Sequence, residues 1–207
     1  MIPLFVDCSG KRIVIFGGGE VASRKAAYFS READVLVVSR SFSPKMSALP
    51  VEKKVLDVSA LPDGEIARII NQAFLVIGTF PNAALNNRIG EICKDHTILF
   101  NNADGEAGDV IIPSVTGGNN YLLAISTRGS SPAVSRFIRE QIETRYPALD
   151  DMVALQRDLR EQLKHVEPSQ ARRNAILWEV LSDNTIWEIL KKDPEKVRQQ
   201  LKKRYLQ

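Results

Sequence analysis

Residues 12–38 place an apolar strand, a glycine turn, a helix and a second apolar strand in an order that few folds accommodate. Arg12-Ile13-Val14-Ile15-Phe16 reads as a buried strand, Gly17-Gly18-Gly19 as a turn, and residues 20–31 as a helix. Val35-Leu36-Val37-Val38 follows one helix length later and completes a βαβ unit of the expected size. Gly17, Gly19 and Ala22 occupy the three positions of the G-x-G-x-x-G/A pattern. That pattern permits a tight turn, close approach of the backbone to a pyrophosphate, and close packing of helix on strand. The helix N-terminus adds N–H groups for the phosphates. Three small residues there can also be only a tight turn, and it is the βαβ context that favours a dinucleotide.

Strand and helix signals continue to alternate through the first half of the chain. Further strands are expected at 54–56, 74–77 and 97–100, and helices at 62–72 and 82–94, the last with Leu85, Ile89 and Ile92 at helical spacing. Such alternation predicts a parallel sheet covered on both faces, with its ligand outside the carboxyl ends of the strands. The residues just past each strand therefore carry the expected cofactor contacts: Gly17, Gly18, Gly19, Glu20 and Val21, then Arg40 and Ser41, then Thr79. No acid ends the second strand, where Ser39-Arg40-Ser41 stands. An acid there receives the ribose hydroxyls of NAD, whereas an arginine accommodates the extra phosphate of NADP.

Past residue 103 the pattern changes. Strands are expected at 110–113 and 121–126, joined by a turn over 116–120, followed by a helix with Ser131 as N-cap and Pro132 in its first turn. Two strands without enough chain for a sheet of their own invite pairing with a second subunit. From residue 148 only helix signals remain, with Met152, Leu155, Leu159, Leu163 and Val166, then Ile176, Leu177, Val180 and Leu181, at three- and four-residue spacing. The expected class is α/β: a Rossmann-like doubly wound parallel sheet over residues 1–113, a small α+β dimerisation and substrate-cleft segment over 114–147, and a helical domain over 148–207. The basic final stretch, including Lys191, Lys196, Lys202, Lys203 and Arg204, reads as a solvated helix face.

Composition narrows the function classes. A net charge of +3 does not demand a nucleic-acid partner, and the apolar stretches are too short to cross a bilayer. Cys8 and Cys93 are far apart and the two histidines, His96 and His165, form no ligand spacing with them, so no metal site is expected. With no signal-type segment at its start, the chain is expected in the cytoplasm, outside any membrane.

Gly17-Gly18-Gly19-Glu20-Val21-Ala22 with Arg24-Lys25, Thr79 with Leu85-Asn86, residues 101–104, Pro113-Ser114 and Ser130-Ser131-Pro132 together resemble the precorrin-2 dehydrogenase family. This is the dehydrogenase and chelatase module of siroheme synthases, and with no methyltransferase segment following, the resemblance implies the free-standing form. It implies NAD-dependent oxidation of precorrin-2 to sirohydrochlorin, in siroheme and hence porphyrin-type tetrapyrrole biosynthesis. Some members also insert Fe2+. It further implies a homodimer that exchanges strands, and NAD as cofactor despite the missing ribose acid.

The resemblance assigns the family's essential aspartate to Asp104, which lies past the fifth strand and could accept the substrate proton. A loop aspartate bonding its own turn is the plainer alternative in Asn102-Ala103-Asp104-Gly105. It also assigns substrate contacts to Ser126, Thr127, Arg128, Ser130 and Ser131. Arg136 and Arg139 share a helix face and could assist, or could simply be solvated. The competing class is a non-enzymatic NAD-sensing module, which explains Gly17 to Ala22 but leaves Asp104 and the Ser-Pro element without a role.

Overall fold

Strand β1, Arg12–Phe16, buries its last four side chains completely and splits them by alternation, Ile13 and Ile15 to one face of a sheet, Val14 and Phe16 to the other. Each such burial contributes on the order of 1.5–3 kcal/mol. The same division runs through β2, Asp34–Ser39, and β4, Leu75–Gly78, so both faces of the sheet must be covered. Helices α1, Glu20–Phe29, and α2, Pro44–Ser47, cover one face with Ala22, Ala26 and Met46; α3, Asp63–Ile70, and α4, Ala83–Asp95, cover the other with Ile66, Ile70, Ile89 and Cys93. A 3-10 turn over Val58–Ala60 precedes α3. The computed structural model describes residues 1–104 and 108–206.

With β3, Glu52–Val55, and β5, Leu99–Asn102, the sheet is fully parallel and ordered β3-β2-β1-β4-β5. The strand order reverses between β1 and β4, and the ligand crevice of a doubly wound sheet opens at such a reversal. One edge, β3, is short and carries Glu52, Lys53 and Lys54, which discourages further pairing. The other edge is covered by the returning chain, where the Val110 N–H donates to the Phe100 carbonyl at 3.1 Å.

The chain divides into two compact units, Met1–Ile112 and Pro113–Gln207. In the second unit β6, Ser114–Gly117, pairs antiparallel with β7, Leu122–Ile125, and α5, Pro132–Arg145, follows. The strand expected at 110–113 therefore lies further along, because Pro113 has no N–H to pair and the turn that sets the register runs from Gly118 to Tyr121 (3.0 Å). Asn120 pins that turn to Asp150 through its backbone N–H (2.7 Å) and its amide (3.0 Å).

Helices α6, Leu149–Val166, α7, Gln170–Ser182, α8, Asn184–Leu190, and α9, Pro194–Tyr205, share a core in which Met152, Leu155, Leu159 and Leu163 meet Ile176, Val180, Leu190 and Leu201. Ser169, Asp183 and Asp193 cap α7, α8 and α9. Val166, expected in this stripe, is 51% exposed, because α6 ends there and the stripe has no further turn to face.

Candidate active site

Two of the three glycines of the first turn are required by the backbone and its packing. Gly17 has φ of 120°, and a Cβ there would collide with Thr79 Oγ1. That hydroxyl is fixed, since Thr79 donates to the Phe16 carbonyl through Oγ1 (2.8 Å) and through its N–H (2.9 Å). At Gly18 a Cβ would collide with the Ser41 carbonyl, and the Ser43 N–H donates to the Gly18 carbonyl at 2.8 Å. Gly19 is different: its φ is −84° and a Cβ would meet no atom within 4 Å. It is the N-cap of α1 and makes no side-chain capping bond, so the first-turn N–H groups have room for a phosphate beside them. A dinucleotide pyrophosphate fits that cradle.

Glu20 and Val21 stand in the exposed first turn of α1. The Glu20 carboxylate would repel an anion, but Lys45 Nζ lies 2.7 Å from it and offsets its charge. At the end of β2, Ser39 is buried while Arg40 and Ser41 are exposed. The Arg40 guanidinium is 3.7 Å from Asp57, an exposed pair that leaves it largely free to meet an anion. Asp57 is itself held below the usual carboxylate range by the Ser59 hydroxyl, then by the Ser59 N–H and Arg40.

At the ends of β4 and β5, the Ala103 N–H donates to the Gly78 carbonyl at 2.9 Å, and Asp104 follows, exposed. Asn86 of α4, fully buried, donates to the carbonyls of both Phe80 and Asp104, each at 2.9 Å. Lys25 Nζ donates to Asn101 Oδ1 at 2.9 Å, and burial followed by the neighbouring Arg24 charge lowers its pKa to about 8. Gly17, Gly18, Gly19, Thr79 and Asp104 thus gather at the carboxyl ends of β1, β4 and β5.

The serine-rich stretch belongs to the second unit. Thr127-Arg128-Gly129-Ser130 forms a turn closed from the Ser130 N–H to the Thr127 carbonyl (3.0 Å), with φ of 55° at Arg128 and 85° at Gly129. Thr127 Oγ1 accepts from the Ser131 N–H (2.9 Å) and donates to the Ser131 carbonyl (3.0 Å). Ser131 Oγ accepts from the Val134 N–H and so serves as the cap of α5. Ser126 Oγ accepts from the Arg128 N–H (3.0 Å), and Ser126, Arg128 and Ser130 are all exposed. Arg136 and Arg139 are engaged with Glu140 (2.7 Å) and Glu143 (2.9 Å) along α5.

Among the described residues no group of three or more His, Cys, Asp or Glu could hold a metal ion, and no helix is long and apolar enough to cross a membrane. Cys93 is buried among apolar side chains, and burial pushes its thiol up to about 12.

Asn86 and Lys25 have the contacts that residue patterns alone do not assign. For Asn86 a signal exists: it stands with Ile89 and Cys93 on the apolar stripe of α4, where an amide must find partners. For Lys25 the signal is only its place beside Arg24 in the glycine-turn motif, which does not name its partner, because that partner is 76 residues away.

A family model described as NAD(P)-binding matches residues 4–114. The precorrin-2 dehydrogenase of Methanosarcina barkeri is 42% identical over 200 residues, covering 94% of this chain and 89% of that one. The siroheme synthase of Azotobacter vinelandii is 31% identical over 192 residues, covering 91% of this chain but 40% of that longer protein. Among solved structures, one named SirC, precorrin-2 dehydrogenase, superposes with a TM-score of 0.72 at 23% identity, over 98% of this chain and all of that one, which shows a shared fold.

Proposed function

The chain belongs to the precorrin-2 dehydrogenase family, and from that premise we propose that it oxidises precorrin-2 to sirohydrochlorin with NAD+ in siroheme biosynthesis. The observation that carries this reading is identity of 42% running through both units rather than the nucleotide-binding half alone.

NAD+, when bound, supplies the hydride acceptor. The chain's residues do the rest. Gly19, Glu20 and Val21 present the open N-terminus of α1 to the pyrophosphate, with Gly17 and Gly18 keeping the turn tight enough for the approach. Arg40 and Ser41 serve the adenosine side, and Thr79 the end of the crevice nearer β4. Asp104 accepts the proton that the macrocycle loses with the hydride, so the products are sirohydrochlorin, NADH and H+. Arg128, Ser126 and Ser130 offer a cation and hydroxyls to the carboxylates of the substrate, while Thr127 and Ser131 hold the turn that presents them.

The reading includes a cytoplasmic homodimer. Support comes from the two-stranded β6–β7 sheet and from α5, which exposes Val134, Phe137 and Ile138, a face suited to a second copy of the chain.

The test is anaerobic turnover of precorrin-2 by the purified chain, following NADH and sirohydrochlorin absorbance with NAD+ or NADP+. Wild-type turnover that Asp104→Asn lowers by about 100- to 10,000-fold, to a residual rate that can still be measured, is the expected result. No turnover with either nucleotide rejects the dehydrogenase. Fe2+ added to sirohydrochlorin without nucleotide measures metal insertion as a separate activity.

A further inference from the structure

Asn86 makes more contacts than a helix-packing residue needs. Its Oδ1 accepts from the Phe80 N–H at 3.1 Å, and its Nδ2 donates to the Phe80 carbonyl and to the Asp104 carbonyl, each at 2.9 Å. The two bonds to Phe80 copy the pairing of one strand with another. The third reaches across to the next loop, so one side chain ties together the segments that follow β4 and β5. Gly78 makes room for it, since a Cβ there would stand 3.0 Å from Asn86 Oδ1.

Asp104 is held from the other side too. Its N–H donates to Asn102 Oδ1 at 3.2 Å, so the peptide groups on both sides of its Cα are anchored by side-chain amides. Anchoring both fixes the direction in which the Cα–Cβ bond leaves the backbone, and hence where the exposed carboxylate can reach. We infer that Asn86 is a positioning residue that aims Asp104 at the substrate from within the protein core. This rests on the reading of Asp104 as the proton acceptor.

Asn86→Asp tests it, because the introduced carboxyl keeps the shape and the acceptor for Phe80 but carries at most one hydrogen where the Asn86 amide offers two, so the bonds to both carbonyls cannot be kept. Expected is a kcat lower by about 10- to 100-fold, with NADH affinity and KM for NAD+ within about threefold of wild type. In the Asp104→Asn background the same change should cost less than about twofold, since nothing remains to be aimed. Independently of activity, amide hydrogen exchange across residues 101–104 should quicken by about tenfold. Asn86→Ser, which leaves space for a water, is judged by the same criteria if the buried carboxyl prevents folding.

Equal losses in the two backgrounds, or a raised KM for NAD+ with kcat unchanged, overturn the inference. Loss at Asp104 with none at Asn86 rejects the positioning alone. Full turnover by Asp104→Asn rejects the proton-acceptor reading, and the positioning with it.

Discussion

Lys25 Nζ donates across 2.9 Å to Oδ1 of Asn101, joining helix α1 to strand β5. Asn101 passes the connection on, its Nδ2 donating to the Val110 carbonyl at 2.7 Å. A single chain of polar contacts thereby links the helix that carries the glycine turn, the strand that leads to Asp104, and the segment that covers the sheet edge. Burial disfavours the ammonium form at this site, which is why its pKa falls to about 8.

That depression predicts a pH dependence of stability. The unfolded chain keeps the lysine proton up to about pH 10.4. Between about pH 8 and that value the unfolded state binds more protons, so stability rises with pH. Allowing for partial exposure, the gain is on the order of 1–2 kcal/mol. Urea unfolding of wild type and Lys25→Met should show the difference between them shifting in favour of wild type across this window; a constant difference would refute the assignment.

Gly17→Ala and Gly19→Ala should separate folding from cofactor binding. The first strains a residue with φ of 120° and crowds Thr79, so a loss of about 1–3 kcal/mol is expected. The second meets nothing in the protein and should cost at most about 1 kcal/mol, yet weaken NADH binding by about tenfold or more. Fluorescence titration beside thermal unfolding reads both, and unaltered NADH affinity in Gly19→Ala would place the pyrophosphate elsewhere.

Arg128 holds a left-handed conformation with φ of 55°, which costs a non-glycine residue about 1–2 kcal/mol. Replacing it by glycine should stabilise the chain by about 0.5 kcal/mol after the added flexibility of the unfolded state is counted. The same change should raise the KM for precorrin-2. A less stable variant with normal KM would make Arg128 a structural residue only.

Phe137 on α5 is 60% exposed, so Phe137→Glu should alter monomer stability by no more than about 0.5 kcal/mol. If α5 forms the proposed interface, sedimentation will show wild-type dimers and variant monomers. A monomeric wild type at micromolar concentration would dismiss the dimer.

The order of elements through residue 103 was legible chiefly from β1, β2 and β4, which are short apolar runs, whereas β3 carries Glu52, Lys53 and Lys54, and Gly64, Gly78 and Gly90 fall inside elements. Boundaries were less so. Strand β5 runs over Leu99–Asn102 rather than ending at Phe100, because the backbones of Asn101 and Asn102 pair with Ile77 and Gly78 whatever their side chains prefer. Thr97, with φ of 57°, interrupts the extended chain just before it.

Local chemistry therefore determined the βαβ unit, the glycine turn, the Ser131 cap and the helical stripe of Met152 to Leu163, since each depends on neighbours a few residues apart. Only the tertiary structure decided which faces Gly17 and Gly18 press against, that Gly19 stays open, and that Asn86 and Lys25 brace the end of β5. Those contacts join residues 18 to 76 positions apart, and pairing at such distances follows from how the sheet is wound rather than from any local pattern.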